Sequence, residues 1–197
     1  MLQMHQQVNR PIAFEDQEAR LLAVDVGTTG ARAMLFDLKG RPHGMAYQEY
    51  RSHFLTPTTI DHDPQTWLNA VDRVIPAVLQ QTATPGEAVK AIAVTSQRAT
   101  IMPVDGQGRP LAPAILWQDK RTMAQCREIE EAVGDDEIYA RTGLRIDPYF
   151  SLPKLMWFRD QRPDVFREAR CFLTVHDLIV NYLTGEFVTD WTQASRT

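Results

Sequence analysis

The chain has 197 residues, 44% of them hydrophobic and 23% charged, which is enough apolar material for one sizeable packed domain and too much for a disordered one. A net charge of −4 offers no basic face and excludes a nucleic-acid backbone as the main partner. No stretch has the length and apolarity of a membrane helix, and the two cysteines, Cys126 and Cys171, stand far apart and outside any metal-ligand spacing, so they read as reduced thiols of a cytoplasmic protein.

Residues 1–18 are polar and aperiodic and read as a flexible tail without the apolar run of a signal peptide. Arg20 to Val26 predicts a buried strand, Ala31 to Leu38 a second and His43 to Tyr50 a third, in an antiparallel meander with a turn at 39–42. Asp63-Pro64 marks a helix start, with Asp63 as the cap, and Trp67, Leu68, Val71, Val74, Ile75 and Val78 follow at helical spacing. Pro76 should kink that helix and Thr84-Pro85-Gly86 should end it. Val89 to Thr95 is almost continuously apolar, as in a sheet covered on both faces, and Ile101 to Val104 is another strand before the turn DGQGRP. Helices are predicted near 120–133, 136–141, 152–160 and 175–184, the last closed by Gly185, with Leu178, Ile179, Tyr182 and Leu183 at core spacing. The chain is therefore α/β, strand-rich first and helix-rich later.

Residues 25–32 read DVGTTGAR. Gly27 and Gly30 let the backbone bend, and Thr28 and Thr29 add hydroxyl donors. The GK[ST] ending of a Walker loop is missing, and a strand rather than a helix follows, so the dinucleotide fingerprint is missing too. Asp25 would repel phosphate unless Mg²⁺ or its waters lay between them, and Arg32 could meet phosphate charge. The residues alone leave a phosphate-holding turn and a plain surface hairpin level. In SQRAT (96–100), Arg98 follows a strand at the end where open α/β sheets bind ligands, but a surface ion pair accounts for it as well. Trp117 in WQDKR could lay its apolar face on the C–H side of a sugar or simply be core. Tyr149 in DPYFS could be a half-buried packing residue. Asp61-His62-Asp63 is better read as a helix cap than as a metal cluster, and His176-Asp177 as a helix N-terminus rather than part of a triad, since adjacent helical residues point apart.

DVGTTGARAMLFDLKGRP resembles the first phosphate motif of the FGGY carbohydrate kinases, within the actin-like ATPase superfamily. AIAVTSQRATIMPVDGQGRPLAPAILWQDKRT resembles that family's sugar-site segment, and TGLRIDPYFSLPKLMWF and FLTVHDLIVNYLTGEFVTDWTQASRT resemble its later N-domain segments, in the family's order. The resemblance implies an actin-like ATPase (ribonuclease H-like) domain, with a mixed sheet flanked by helices, over 19–197. It implies ATP and Mg²⁺ as cofactors, with Asp25, Gly27, Thr28, Thr29 and Arg32 on the nucleotide phosphates and Asp25 reaching the metal through water. It implies a sugar or polyol substrate on Gln97, Arg98, Trp117, Asp119 and Tyr149, with Gln118 a weaker candidate and Asp119 open to a second role, pairing with Arg121 to hold the loop. In the glycerol kinase branch the arginine is followed by an acid, and here Ala99 stands in its place, which puts glycerol itself in doubt. The resemblance places the catalytic base and the adenine-holding domain beyond residue 197 and is compatible with a homodimer of the full-length enzyme, with no nucleic-acid or membrane partner. Two rival readings remain: a non-catalytic sugar-binding fragment or half of a split kinase, and an assembly or chaperone ATPase, against which the sugar-site segments argue.

Overall fold

Strand β1 (Arg20–Val26) buries Leu22, Val24 and Val26 on one face, and β2 (Gly30–Asp37) buries Ala31, Ala33 and Leu35 on the same side. With β3 (Pro42–Glu49) they form the predicted antiparallel meander, β2 and β3 each starting one residue early. The computed structural model describes residues 19–196, so the tail read over 1–18 lies outside the described residues. A hairpin follows, β4 (His53–Thr56) and β5 (Thr59–His62), then α1 (Pro64–Gln81), a single 3-10 turn, β6 (Val89–Ser96), β7 (Ile101–Val104) and β8 (Ala114–Ile115). The later part holds α2 (Met123–Ala132), α3 (Asp135–Thr142), α4 (Ser151–Gln161), α5 (Pro163–Glu168), β9 (Cys171–Thr174), α6 (Val175–Thr184) and α7 (Trp191–Ala194).

Among the described residues the strands form two sheets. The first is mixed, in the order β3-β2-β1-β6, with β6 parallel to β1. The second is antiparallel, in the order β4-β5-β8-β7-β9. The main core lies where the meander's buried face meets α1 and α6, through Trp67, Val71, Val74, Val78, Leu178 and Ile179. A smaller core of Ile115, Phe158 and Val165 lies under α4 and α5. Asp63 caps α1 by accepting the Gln65 N–H at 3.0 Å, as its sequence position predicts. Pro76 does not end the helix, which runs on to Gln81. The loops DLKGR and DGQGR close in the same way: Asp37 accepts from the Lys39 and Arg41 N–H groups and from Arg41 Nε, and Asp105 does so with Gln107 and Arg109. Gly40 and Gly108, at φ +76° and +78°, supply the left-handed residue each loop needs.

Several expectations are corrected. The apolar run at Val89–Thr95 is not covered on both faces: β6 pairs only with β1 among the described residues, stands at the sheet edge and leaves Ile92 exposed. Tyr182 and Leu183 are exposed, because the buried stripe of α6 is narrower than its apolar spacing, and the Tyr182 hydroxyl donates to Asp72. His176 and Asp177 do meet, at 3.1 Å, with Asp190 on the other side of the ring. Asp177 nevertheless serves the helix start, where it and Thr174 form a capping box. Asp61 pairs with Arg121 rather than joining a metal cluster.

His62 is buried, stacked on Trp67 at 4.3 Å, and held at Nδ1 by the Ser52 hydroxyl. Burial pulls its pKa down to about 4. Unfolded chains therefore take up a proton below about 6.5 that the fold refuses until about 4, so stability should fall by about 3 kcal/mol as pH drops through that window. His62→Phe should flatten that part of the curve in urea titrations at pH 4 to 7. An unchanged slope would mean another group carries it.

Candidate active site

Parallel pairing sets Val26 opposite Ser96, and the Gln97 N–H continues the ladder to the Val26 carbonyl at 2.9 Å. The 27–30 turn and the 97–100 loop thus leave the same edge of the sheet side by side. The turn is tight: the Gly27 N–H donates to the Gly30 carbonyl at 2.9 Å. Neither glycine takes a positive φ. At Gly30 a Cβ would lie 2.2 Å from the Tyr47 hydroxyl, so any larger residue there would have to push that half-exposed ring aside. Tyr50, almost fully buried, braces the turn from behind. Its hydroxyl donates to the Gly27 carbonyl at 2.7 Å and its N–H to the Thr29 carbonyl at 3.0 Å. Burial, with the charge of Asp25 added, raises its pKa well above the ordinary range and keeps the hydroxyl a donor. The N–H groups of Thr28 and Thr29 have no acceptor among the described residues.

Asp25 and Arg32 face each other across β1 and β2 and pair at 3.3 Å, both partly exposed. Thr28 does more than decorate the turn. Its hydroxyl accepts from the Trp117 indole Nε1 at 3.1 Å and lies 3.4 Å from Gln97 Oε1. Gln97 also receives the Thr100 hydroxyl at 3.3 Å, and Thr100 Oγ1 in turn accepts the Trp117 N–H at 3.1 Å. One short polar network therefore joins the turn, the 97–100 loop and the 117–121 segment.

Trp117 and Tyr149 meet edge to face at 5.9 Å and form one wall of an open cavity of about 880 Å³. Gln118 and Asp119 also line it. Arg98 is exposed, does not line this cavity and has no hydrogen-bond or ion partner among the described residues, so the surface ion pair that the sequence left open does not form. Asp119 is different: buried, it accepts from Arg121 and from the Ile60 N–H at 2.6 Å, which fixes the loop between the second sheet and α4. Arg121 also bonds Asp61 and covers the Trp157 ring at 5.0 Å. Of the two roles open to Asp119, its contacts fill the loop-holding one.

Sequence reasoning missed Tyr50, Thr100 and Lys154. Lys154 had a legible signal, since Ser151, Lys154 and Phe158 lie on one helical face in an otherwise apolar segment, yet it is completely buried. Burial lowers its pKa to about 7, against the nearby charges of Asp119 and Asp147. A neutral amine keeps two N–H donors, enough for the two carbonyls it meets. The Cys126 thiol, also on the cavity, is pushed up to about 11 by burial and is a poor nucleophile.

Solved structures similar to this chain in fold include sugar kinases with the actin-like ATPase fold. A "xyloylose kinase" from Brucella ovis is 30% identical with a TM-score of 0.84, covering 90% of this chain and 36% of its own. A gluconate kinase from Lactobacillus acidophilus is 25% identical with a TM-score of 0.83, over 91% of this chain and 36% of that one. The family model for the N-terminal domain of FGGY carbohydrate kinases matches residues 20–197, and the chain belongs to that family. Among curated relatives, the glycerol kinase of Aromatoleum aromaticum is 40% identical over 90% of this chain, and that of Thermococcus gammatolerans 38% identical over 91%. The chain spans 37% of the length of each.

Thr28→Val should remove the acceptor of the Trp117 indole. The expected result is an upfield, faster-exchanging indole N–H signal and a stability loss of about 1 kcal/mol, with Thr28→Ser close to wild type. An indole signal that ignores Thr28→Val would place the ring elsewhere in solution.

Proposed function

We propose that this chain is the sugar- or polyol-binding part of an ATP-dependent carbohydrate kinase, whose whole reaction moves the γ-phosphoryl group of ATP to a substrate hydroxyl. The observation that carries this reading is the bond from Trp117 Nε1 to Thr28 Oγ1, which sets the aromatic wall of the cavity against the turn that resembles a phosphate motif. Such a reaction needs two reactants held in line and phosphate charge neutralised, with little covalent work from the protein.

In this reading Gly27, Thr28 and Thr29 present backbone and hydroxyl donors to the phosphates, and Arg32 leaves Asp25 to meet their charge. Among the described residues no group of three His, Cys, Asp or Glu is built for a metal. A single, partly exposed carboxylate fits Mg²⁺, which keeps several of its waters and is held largely by substrate phosphates. Asp25 would hold it through water, and the ion when bound would neutralise phosphate charge. On the substrate side, Trp117 and Tyr149 stack on the C–H faces, while Arg98 and Gln97 serve the hydroxyls. Asp119 acts by positioning Arg121 and the loop. The base comes from outside the described residues, as does the adenine site, and the protein works in the cytoplasm.

Ala99 lacks the carboxylate that would accept hydrogen bonds from two hydroxyls, and each unmet hydroxyl costs about 1–3 kcal/mol in a buried site. The preferred substrate is therefore a sugar or longer polyol rather than glycerol, although curated relatives carry the name glycerol kinase. Calorimetry of the chain against glycerol, pentoses, hexoses and longer polyols tests this. Binding that is strongest for glycerol would reverse the substrate order, and no binding by any of them would remove the functional reading.

Two kinetic outcomes follow. Residues 1–197 alone should give no sugar-dependent ADP release in a coupled assay, because general-base catalysis alone is worth about 10²–10⁴-fold and closure over both reactants contributes further. Release that co-purifies with the chain would place the base among residues assigned here to structure. In a full-length kinase carrying this segment, Asp25→Ala should lower turnover with Mg·ATP by orders of magnitude and leave polyol affinity within a few-fold. Turnover that survives would make the turn a plain hairpin.

A further inference from the structure

Lys154 is fully buried, and its Nζ donates to two main-chain carbonyls, those of Ala99 and Tyr149, at 2.5 Å each. One carbonyl belongs to the loop that carries Arg98, the other to the turn whose Tyr149 ring lines the cavity. Ala99 takes φ +55°, one of two non-glycine residues with positive φ among the described ones, and alanine adopts that conformation only at a cost of order 1 kcal/mol. Burying a lysine is itself unfavourable, and a methionine would fill the same space at less cost. What methionine lacks is a donor that reaches both carbonyls. Without it, a buried and a part-buried acceptor would both lose their bond, and Ala99 would lose the contact that ties its left-handed backbone to α4.

We propose that Lys154 is a positioning residue of the polyol site, clamping the Arg98–Ala99 loop to the Tyr149 turn so that Arg98 and the Trp117–Tyr149 wall keep a fixed separation. The clamp rests on the functional reading above only for the nature of the ligand; the geometry stands without it. Lys154 never touches the substrate. It acts through Ala99, the residue that follows Arg98, and through Tyr149, whose ring packs on Trp117.

Three measurements on the chain test the clamp. In ¹⁵N,¹³C-labelled wild type, through-hydrogen-bond couplings should connect Lys154 Nζ to the carbonyl carbons of both Ala99 and Tyr149; their absence overturns the proposal, and this arm needs no variant that must fold. Lys154→Met should lose hydrogen-exchange protection at 97–101 and 147–151 while the strands of the first sheet keep theirs, and its affinity for the best-bound polyol should fall about tenfold. A uniform loss over the whole chain, or unchanged polyol affinity, would make Lys154 merely structural. Adding Ala99→Gly to Lys154→Met should recover part of that affinity, because glycine takes the left-handed conformation without strain; no recovery contradicts the route through Ala99. If wild type binds no polyol, the functional reading fails, and the couplings and exchange pattern alone still decide the clamp.

Discussion

The parallel pairing of β1 with β6 is the constraint on which the rest of this structure depends. It places Val26 beside Ser96 and lets the Gln97 N–H close on the Val26 carbonyl. Two segments seventy residues apart in sequence, the glycine turn and the loop carrying Arg98, therefore leave the sheet side by side. The helix α1, capped by Asp63 and buried through Trp67, Val71, Val74 and Val78, covers the meander and leads back to β6. The register of a buried strand is strongly specified, because a one-residue slip would turn Leu22, Val24 and Val26 to the opposite face. The same packing that fixes the register fixes the site.

Magnitudes separate the charged residues into those that hold the frame and those free to meet a ligand. Asp119 is buried against a largely covered Arg121, and leaving such a buried charge without its partner costs several kcal/mol, at most about 3–5. No ligand of ordinary affinity would open it. Asp25 and Arg32 are paired in partial contact with water, where such a pair is worth about 1 kcal/mol or less. A charged ligand can displace that pair easily. Arg98 has no partner to give up among the described residues. The frame is thus built from Asp119, Arg121 and Lys154, and the exchangeable groups are Asp25, Arg32 and Arg98.

The meander, α1, α6 and the turn motif were legible in the sequence because each carries a strong local signal: alternation, a proline after a capping aspartate, a glycine at a helix end. The strands β4, β5, β8 and β9 were not, since they run for four residues or fewer and owe their form to partners distant in sequence. Without them the second sheet could not be read, and neither could the burial of Asp119, which depends on the Ile60 N–H in β5. The exposure of β6 was misread because apolar composition reports what a strand is able to bury and leaves open what lies against it. The members of the site came through resemblance and local chemistry. Their joining did not, because a hydroxyl shared by Trp117 and Thr28 across 89 positions leaves no pattern in either segment.

The central claim is that the glycine turn and the aromatic cavity wall are one site, and a two-dimensional NMR titration of the chain tests it most directly. A bound polyol should shift the Trp117 indole N–H and the Gly27 and Thr28 amides together, all three following one saturation curve. Saturable shifts at Trp117 and Tyr149 with Gly27 and Thr28 unmoved would contradict it, and would make the turn and the cavity separate features of the same sheet edge.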